Sequence, residues 1–217
     1  MKEYKIEITS ELEAILENKI RKKKDVIKLL LAAVSLLTYG TRIKRPTKDH
    51  LVLRIDKMKR LFVVQEHKIT TFNFPFGVEE NPIDNKVTIF DPLTDMELDG
   101  ANLAILRNIF YELIDSEDFL SLKDLDSDLE KIMDSFDRHT EKDRLWSIMK
   151  YLMEFEVGYL RFDYDLDGEN GRMHPLNHLD INYSTGVTYK IGLNSKKSVT
   201  ELMDILDLNT ECSFISN

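Results

Sequence analysis

The sequence predicts an α+β protein, with antiparallel strands in two groups, an N-terminal helical segment and a central group of three helices. Apolar residues recur at helical spacing over 12–37 and again over 103–155, while short β-branched and aromatic runs gather at 51–76 and 157–191. Helices, strands, helices, strands and a last helix follow one another in blocks. A doubly wound parallel sheet would alternate strand and helix one by one.

Ser10 followed by Glu13 reads as a capping box, and Leu12, Ile15, Leu16 and Ile20 then share one helical face. The run Arg21-Lys22-Lys23-Lys24-Asp25 interrupts that helix before a second apolar stretch from Val26 to Leu37, which Gly40 stops. Pro46 marks the passage into β structure. LVLRID at 51–56 and LFVVQE at 61–66 form a hairpin across KMKR; Ile69 to Phe76 adds a third strand. Residues 77–85 read as a loop and Val87 to Phe90 as a short strand. The three central helices are lined by Leu103, Leu106, Phe110 and Leu113, by Leu125, Leu129, Ile132 and Phe136, and by Leu145, Ile148, Met149, Leu152 and Phe155. The second strand group takes Val157 to Asp165, His178 to Tyr183 and Val187 to Ile191, and Ser198 with Glu201 caps a final helix to about Leu206. A single unit over 1–217 accommodates this order, with a subdivision into a helical arm, 1–45, and a core, 46–217.

At 217 residues with 42% hydrophobic and 32% charged content, the chain can bury a sizeable core and is not disordered. The single Cys212 excludes a disulfide scaffold and suits a reducing, cytoplasmic setting. Val26 to Tyr39 is too short to cross a bilayer and carries Lys28, so no membrane partner is expected. The net charge of −9 hides an asymmetry: residues 1–68 hold 17 of the 30 basic residues and 9 of the 39 acids. Lys22, Lys23, Lys24, Arg42, Lys44 and Arg45 are therefore the candidate nucleic-acid-binding residues, a solvated basic face being the alternative. Nine acids between Asp115 and Asp137 form the converse patch, an exposed helical face or a surface for a basic partner.

Strand alternation places Arg161, Asp163 and Asp165 on one face of one strand, His178, Asp180 and Asn182 on one face of the next, and Thr188 with Lys190 on a third. If these strands are neighbours, acids, histidine and cations converge, and Asp163, Asp165, His178 and Asp180 become candidate catalytic residues. The alternative is the polar outer face of a half-solvated antiparallel sheet. Asp163, Asp165, Asp167 and Gly168 also spell D-x-D-x-D-G, the opening of a calcium loop, but His174 occupies the closing position where a bidentate Glu is needed. His174 and His178, four apart, suit transition-metal chelation only on a helix.

The run R-x-D-Y-D at 161–165 followed by H-P-x-x-H-L at 174–179 resembles, over about 161–193 only, an uncharacterised bacterial family of unknown function. This chain has Asn177 where that family is expected to carry serine. The resemblance implies a setting in mobile or antiviral defence islands and no activity. Pro46, Asp49 and Glu66-His67-Lys68 are similar to the PD-(D/E)xK nucleases, which implies Asp49 and Glu66 as metal carboxylates and Lys68 as the group orienting water. The favoured reading is an interaction or scaffold subunit of a nucleic-acid or defence system, with another protein as partner and nucleic acid held through the basic N-terminal region. The rival is a metal-dependent nuclease or other hydrolase. No cofactor follows from the sequence; a divalent metal is required only if the chain is an enzyme.

Overall fold

The computed structural model describes the chain apart from residues 1, 19, 41, 47–48, 114–121, 137, 139–140, 185, 187 and 215–217, together with the side chains of 112–113 and 122–125. It is an α+β protein whose chain divides into two compact units: Met1–Ile8, Arg42–Phe74 and Val157–Asn217 form one, Thr9–Thr41 and Pro75–Glu156 the other. The boundary expected near Pro46 lies close to the passage between residues 41 and 42; the return into the first unit at Val157 left no mark in composition.

The first unit is a seven-stranded antiparallel sheet: β1 (Lys2–Glu7), β2 (His50–Ile55), β3 (Lys59–Val64), β4 (Lys68–Asn73), then β8 (Leu160–Tyr164), β9 (Asn177–Ile181) and β10 (Tyr189–Gly192), in that spatial order. The two strand groups therefore share one sheet, joined where Thr70 of β4 faces Arg161 of β8. β1 was not expected. Its KEYKIE sequence is charged at four of six positions, yet Tyr4, Ile6 and Ile8 are buried at every second position, the signature of a one-sided strand.

One face carries Val52, Phe62, Ile69 and Phe162, and the C-terminal helix α6 (Val199–Ile205) lays Leu202 and Met203 onto it. Each such side chain stabilises the unit by roughly 1.5–3 kcal/mol through burial. The expected capping box forms there: Glu201 N donates to Ser198 Oγ (3.3 Å) and Ser198 N to Glu201 Oε2 (2.8 Å). These backbone and side-chain bonds from Ser198, with the Lys197 ammonium, pull the Glu201 carboxyl down to about 2. Arg54 Nη2 reaches Asp207 Oδ2 at 2.7 Å just past the helix end. The opposite face changes character along the sheet. It is apolar at β1–β4 (Tyr4, Ile6, Leu51, Leu53, Leu61, Val63, Phe72) and polar at β8–β10 (Arg161, Asp163, His178, Asp180, Lys190).

The second unit holds α1 (Ser10–Glu17), α2 (Lys23–Tyr39), a three-stranded sheet of β5 (Gly77–Glu80), β6 (Val87–Asp91) and β7 (Met96–Glu97), then α3 (Gly100–Asn108), a π-helical turn at Ile109–Leu113, α4 (Leu122–Phe136) and α5 (Lys142–Glu154). The stretch at 77–85, read as a loop, supplies β5, whose Gly77 lies so close to the Phe90 ring opposite that a Cβ would sit 2.3 Å from Cζ. Helix α1 begins at Ser10, the residue expected to cap it, so the N-cap is Thr9, with no side-chain bond there. α2 buries Val26, Ile27, Leu29, Leu30, Leu31, Ala32, Ala33, Val34 and Leu37, nearly its whole circumference, and packs on α1, α3 and β6.

Candidate functional site

The polar end of the sheet is assembled by register. Asp163 of β8 faces His178 of β9, Arg161 faces Asp180, and Asp180 faces Lys190 of β10; on the other side Lys68 of β4 faces Asp163. Because side chains alternate with period two, one register brings all six to the same face. All belong to the first unit.

The Arg161 guanidinium binds two carboxylates at once. Its Nε lies 3.0 and 2.8 Å from the two oxygens of Asp163, and its Nη2 lies 2.6 Å from Asp163 Oδ2 and 2.6 Å from Asp180 Oδ2. Burial works against the charge of Arg161, but Tyr159, Asp163 and Asp180 outweigh it and hold its pKa above the ordinary arginine value. The Tyr159 hydroxyl is pushed the other way from an ordinary acid, upward, chiefly by burial, while its ring meets Phe72 edge-on at 5.6 Å.

His178 is fully buried and Asp180 is 5% exposed. His178 Nδ1 donates to the Pro175 carbonyl at 2.8 Å, which places a proton on Nδ1, and the Lys190 ammonium, able only to donate, lies 2.9 Å from Nε2 and makes that nitrogen the acceptor. Nε2 lies 3.2 Å from Asp163 Oδ2 and 3.8 Å from Asp180 Oδ1. Two lone-pair groups at such range repel unless a cation lies between or beside them. Lys190 is beside them: its ammonium donates to His178 Nε2 at 2.9 Å and approaches Asp180 Oδ1 at 3.3 Å. Asp180 Oδ1 is buried and accepts no directed hydrogen bond. Asp163, His178 and Asp180 place one ligand atom each within 4.8 Å of one another, the only such triad of His, Cys, Asp or Glu among the described residues.

Of the expected catalytic group, then, Asp163, His178 and Asp180 converge. Asp165 lies one residue past β8, where its Oδ1 accepts from Gly168 N at 2.9 Å. That backbone bond, more than the nearby histidines and Lys190, depresses its carboxyl below the usual range. The D-x-D-x-D-G run is thus a turn, with Asp163 facing the sheet and Asp165 closing the bend. His174 and His178 are not on a helix. His174 forms a bridge with Asn170 in the β8–β9 connection and His178 sits in β9, yet their rings meet edge-to-face at 4.7 Å.

Of the nuclease-like residues, Glu66 turns outward, whereas Asp49 lies near enough to Lys68 to act on its ammonium. Asp49 stands before β2 and its Oδ2 is 3.4 Å from Gln65 Nε2; Glu66, in the β3–β4 turn, has a side chain 83% exposed. Lys68 joins the polar face instead. Burial lowers its ammonium pKa, with Arg161 acting in the same direction and Asp163 and Asp49 opposing. A cavity of about 30 Å³, enough for a water, lies by Lys68, Asp163, Asn177 and Lys196.

The basic candidates divide between the units: Lys22, Lys23 and Lys24 lie in the second, Arg42, Lys44 and Arg45 in the first. Lys23 is committed, its Nζ donating to Phe155 O at 2.6 Å beyond the end of α5. Lys22 and Lys24 line a cleft of about 510 Å³ with Arg21, Lys28 and Tyr111. Burial, then the repulsion of Lys24, lowers the Lys28 ammonium pKa there. Arg42 stacks on Tyr4 at 4.9 Å. Of the acidic stretch, residues 115–121 and 137 lie outside the described residues, whereas Asp126 and Glu130 pair with Lys142 at 3.0 and 2.5 Å.

Sequence reasoning named Arg161, Lys190 and His174 but left them out of the catalytic set. Alternation had already put Arg161 and Lys190 on the right face, and the missing information was which strands are neighbours. Among the described residues no helix is long and apolar enough to cross a membrane. No protein-family model matches the chain, and neither does any curated protein or solved structure.

Proposed function

We propose that the protein is a divalent-metal-dependent hydrolase acting on a phosphoester, with its centre at Asp163, His178 and Asp180. The observation that carries this reading is the triad itself: two carboxylates and an imidazole whose ligand atoms lie within 4.8 Å, on one face of the sheet, with His178 Nε2 accepting from Lys190 while Nδ1 is held by the Pro175 carbonyl. Such a set can hold a cation that lowers the pKa of bound water and steadies a developing oxyanion. Arg161, Lys190 and Lys68 supply positive charge on the same face, the sign a phosphoryl group needs. The test is metal-dependent hydrolysis of bis(4-nitrophenyl) phosphate with Mn²⁺, Mg²⁺ or Zn²⁺. Asp163→Asn should lose at least a hundredfold in rate while retaining its fold by circular dichroism. Hydrolysis that is independent of metal and unchanged in this variant would refute the reading.

A second reading, a nucleic-acid-binding interaction subunit, is favoured by the cleft at Arg21, Lys22, Lys24 and Lys28. Salt-dependent binding of single- or double-stranded oligonucleotides should weaken in Lys22→Glu/Lys24→Glu. Lys23 is unsuited to this test because it holds the Phe155 carbonyl. Absence of binding at low salt would leave this cleft without a nucleic-acid role.

A further inference from the structure

The triad omits the two side chains that define a single point inside the cluster. Lys190 Nζ lies 2.9 Å from His174 Nε2, 2.9 Å from His178 Nε2 and 3.3 Å from Asp180 Oδ1. An ammonium only donates, so both imidazoles turn Nε2 lone pairs toward it. Two imidazole nitrogens and a carboxylate oxygen thus converge on one locus, and that locus already carries a positive charge. Without a charge there, Arg161, 2.6 Å from Asp163 Oδ2, would be left as the nearby cation offsetting the repulsion between that oxygen and His178 Nε2 at 3.2 Å.

We infer that this locus is the cation position of the centre, that His174 is a fourth ligand beside Asp163, His178 and Asp180, and that the Lys190 ammonium is a resident cation which a divalent ion must displace. The inference rests on the metal-centre reading above and adds to it a ligand and a competitor. The geometry permits the exchange. Lys190 lies on the edge strand β10 with its side chain 32% exposed, so its ammonium can swing into water. His178 is anchored by its strand and by the Pro175 carbonyl, whereas His174 belongs to the β8–β9 connection and its side chain is 27% exposed. A metal–nitrogen bond of about 2.0–2.1 Å requires the ring to move inward by several tenths of an ångström, which the connection can supply. Two nitrogens and two carboxylates form a donor set suited to Zn²⁺ or Mn²⁺ over Mg²⁺ or Ca²⁺. Lys190 then sets the ion concentration at which the centre fills, since every ion bound must take over the contacts of a cation already in place.

Calorimetric titration of the full chain with ZnCl₂ and with MnCl₂ tests this. Wild type is expected to bind one ion, Lys190→Met to bind it at least tenfold tighter, and His174→Ala in the Lys190→Met background to lose at least tenfold of that affinity. Lys190→Gln, with thermal melts of all variants, guards against a folding defect in the first substitution. Equal or weaker binding by both Lys190 variants overturns the competitor role. An unchanged affinity on adding His174→Ala overturns the ligand role. No uptake by wild type or by either Lys190 variant removes the metal centre itself, and this inference with it.

Discussion

Arg161→Met is the most exacting perturbation of the polar cluster. The guanidinium makes its contacts at 2.6–3.0 Å to Asp163 and Asp180, whose side chains are only 12% and 6% exposed. Methionine keeps the aliphatic length and removes the charge, so two neighbouring buried carboxylates lose their shared counter-ion. Breaking a buried pair by removing one partner costs about 3–5 kcal/mol. Lys190 stays 3.3 Å from Asp180 and Arg161 is itself 28% exposed, so the lower end, about 3 kcal/mol, is expected. For a chain of this size that corresponds to a fall in Tm on the order of 10 °C. Urea unfolding followed by circular dichroism measures it, with an unchanged m-value showing that the native state is still compact. Arg161→Met/Asp163→Asn should cost clearly less than the sum of the two single changes, because the second removes a charge the first left unpaired. A single-variant loss below about 1 kcal/mol, the range of exposed ion pairs, would refute the view of a buried, mutually dependent network.

Other outcomes follow from the same structure. Leu202→Ala, which empties the space between α6 and Phe62, Ile69 and Phe162, should cost about 2–5 kcal/mol in urea unfolding. Gly158→Ala should destabilise measurably, because Gly158 has φ +55° and a Cβ there would sit 2.6 Å from Asn73 Nδ2. The Glu201 carboxyl is depressed to about 2 in the folded chain, so the unfolded state binds the proton more readily. Its contribution to stability is complete above about pH 4.3 and lost as pH falls toward 2, and Glu201→Gln should flatten that part of the stability–pH curve.

The sequence carried the faces of the polar strands but not their partners. Arg161, Asp163, His178, Asp180 and Lys190 all follow from period-two alternation. That β8 lies beside β4 depends on a pairing between Thr70 and Arg161, across an intervening unit, and no local pattern encodes it. The same limit separated Lys68 from its true neighbours: read with Glu66 it resembled one motif, yet in the sheet it faces Asp163. His174 was legible as a histidine of a spaced pair and illegible as a neighbour of Lys190, because the bend closed by Asp165 and Gly168 brings it back over the strands. β1 was hidden by its charges. Its alternation of Tyr4, Ile6 and Ile8 was present all along, but three apolar residues among four charges carry a weak signal.

The central claim, a cation held by Asp163, His178 and Asp180, is tested most directly by crystals grown or soaked with MnCl₂ and measured for anomalous scattering. A single anomalous peak is predicted at bonding distance, about 2.0–2.3 Å, from His178 Nε2 and a carboxylate oxygen of Asp180. The Lys190 ammonium should be displaced from its position between the two imidazoles. A peak at the Asp165–Gly168 turn alone, or no peak with Lys190 still bridging His174 and His178, would contradict it.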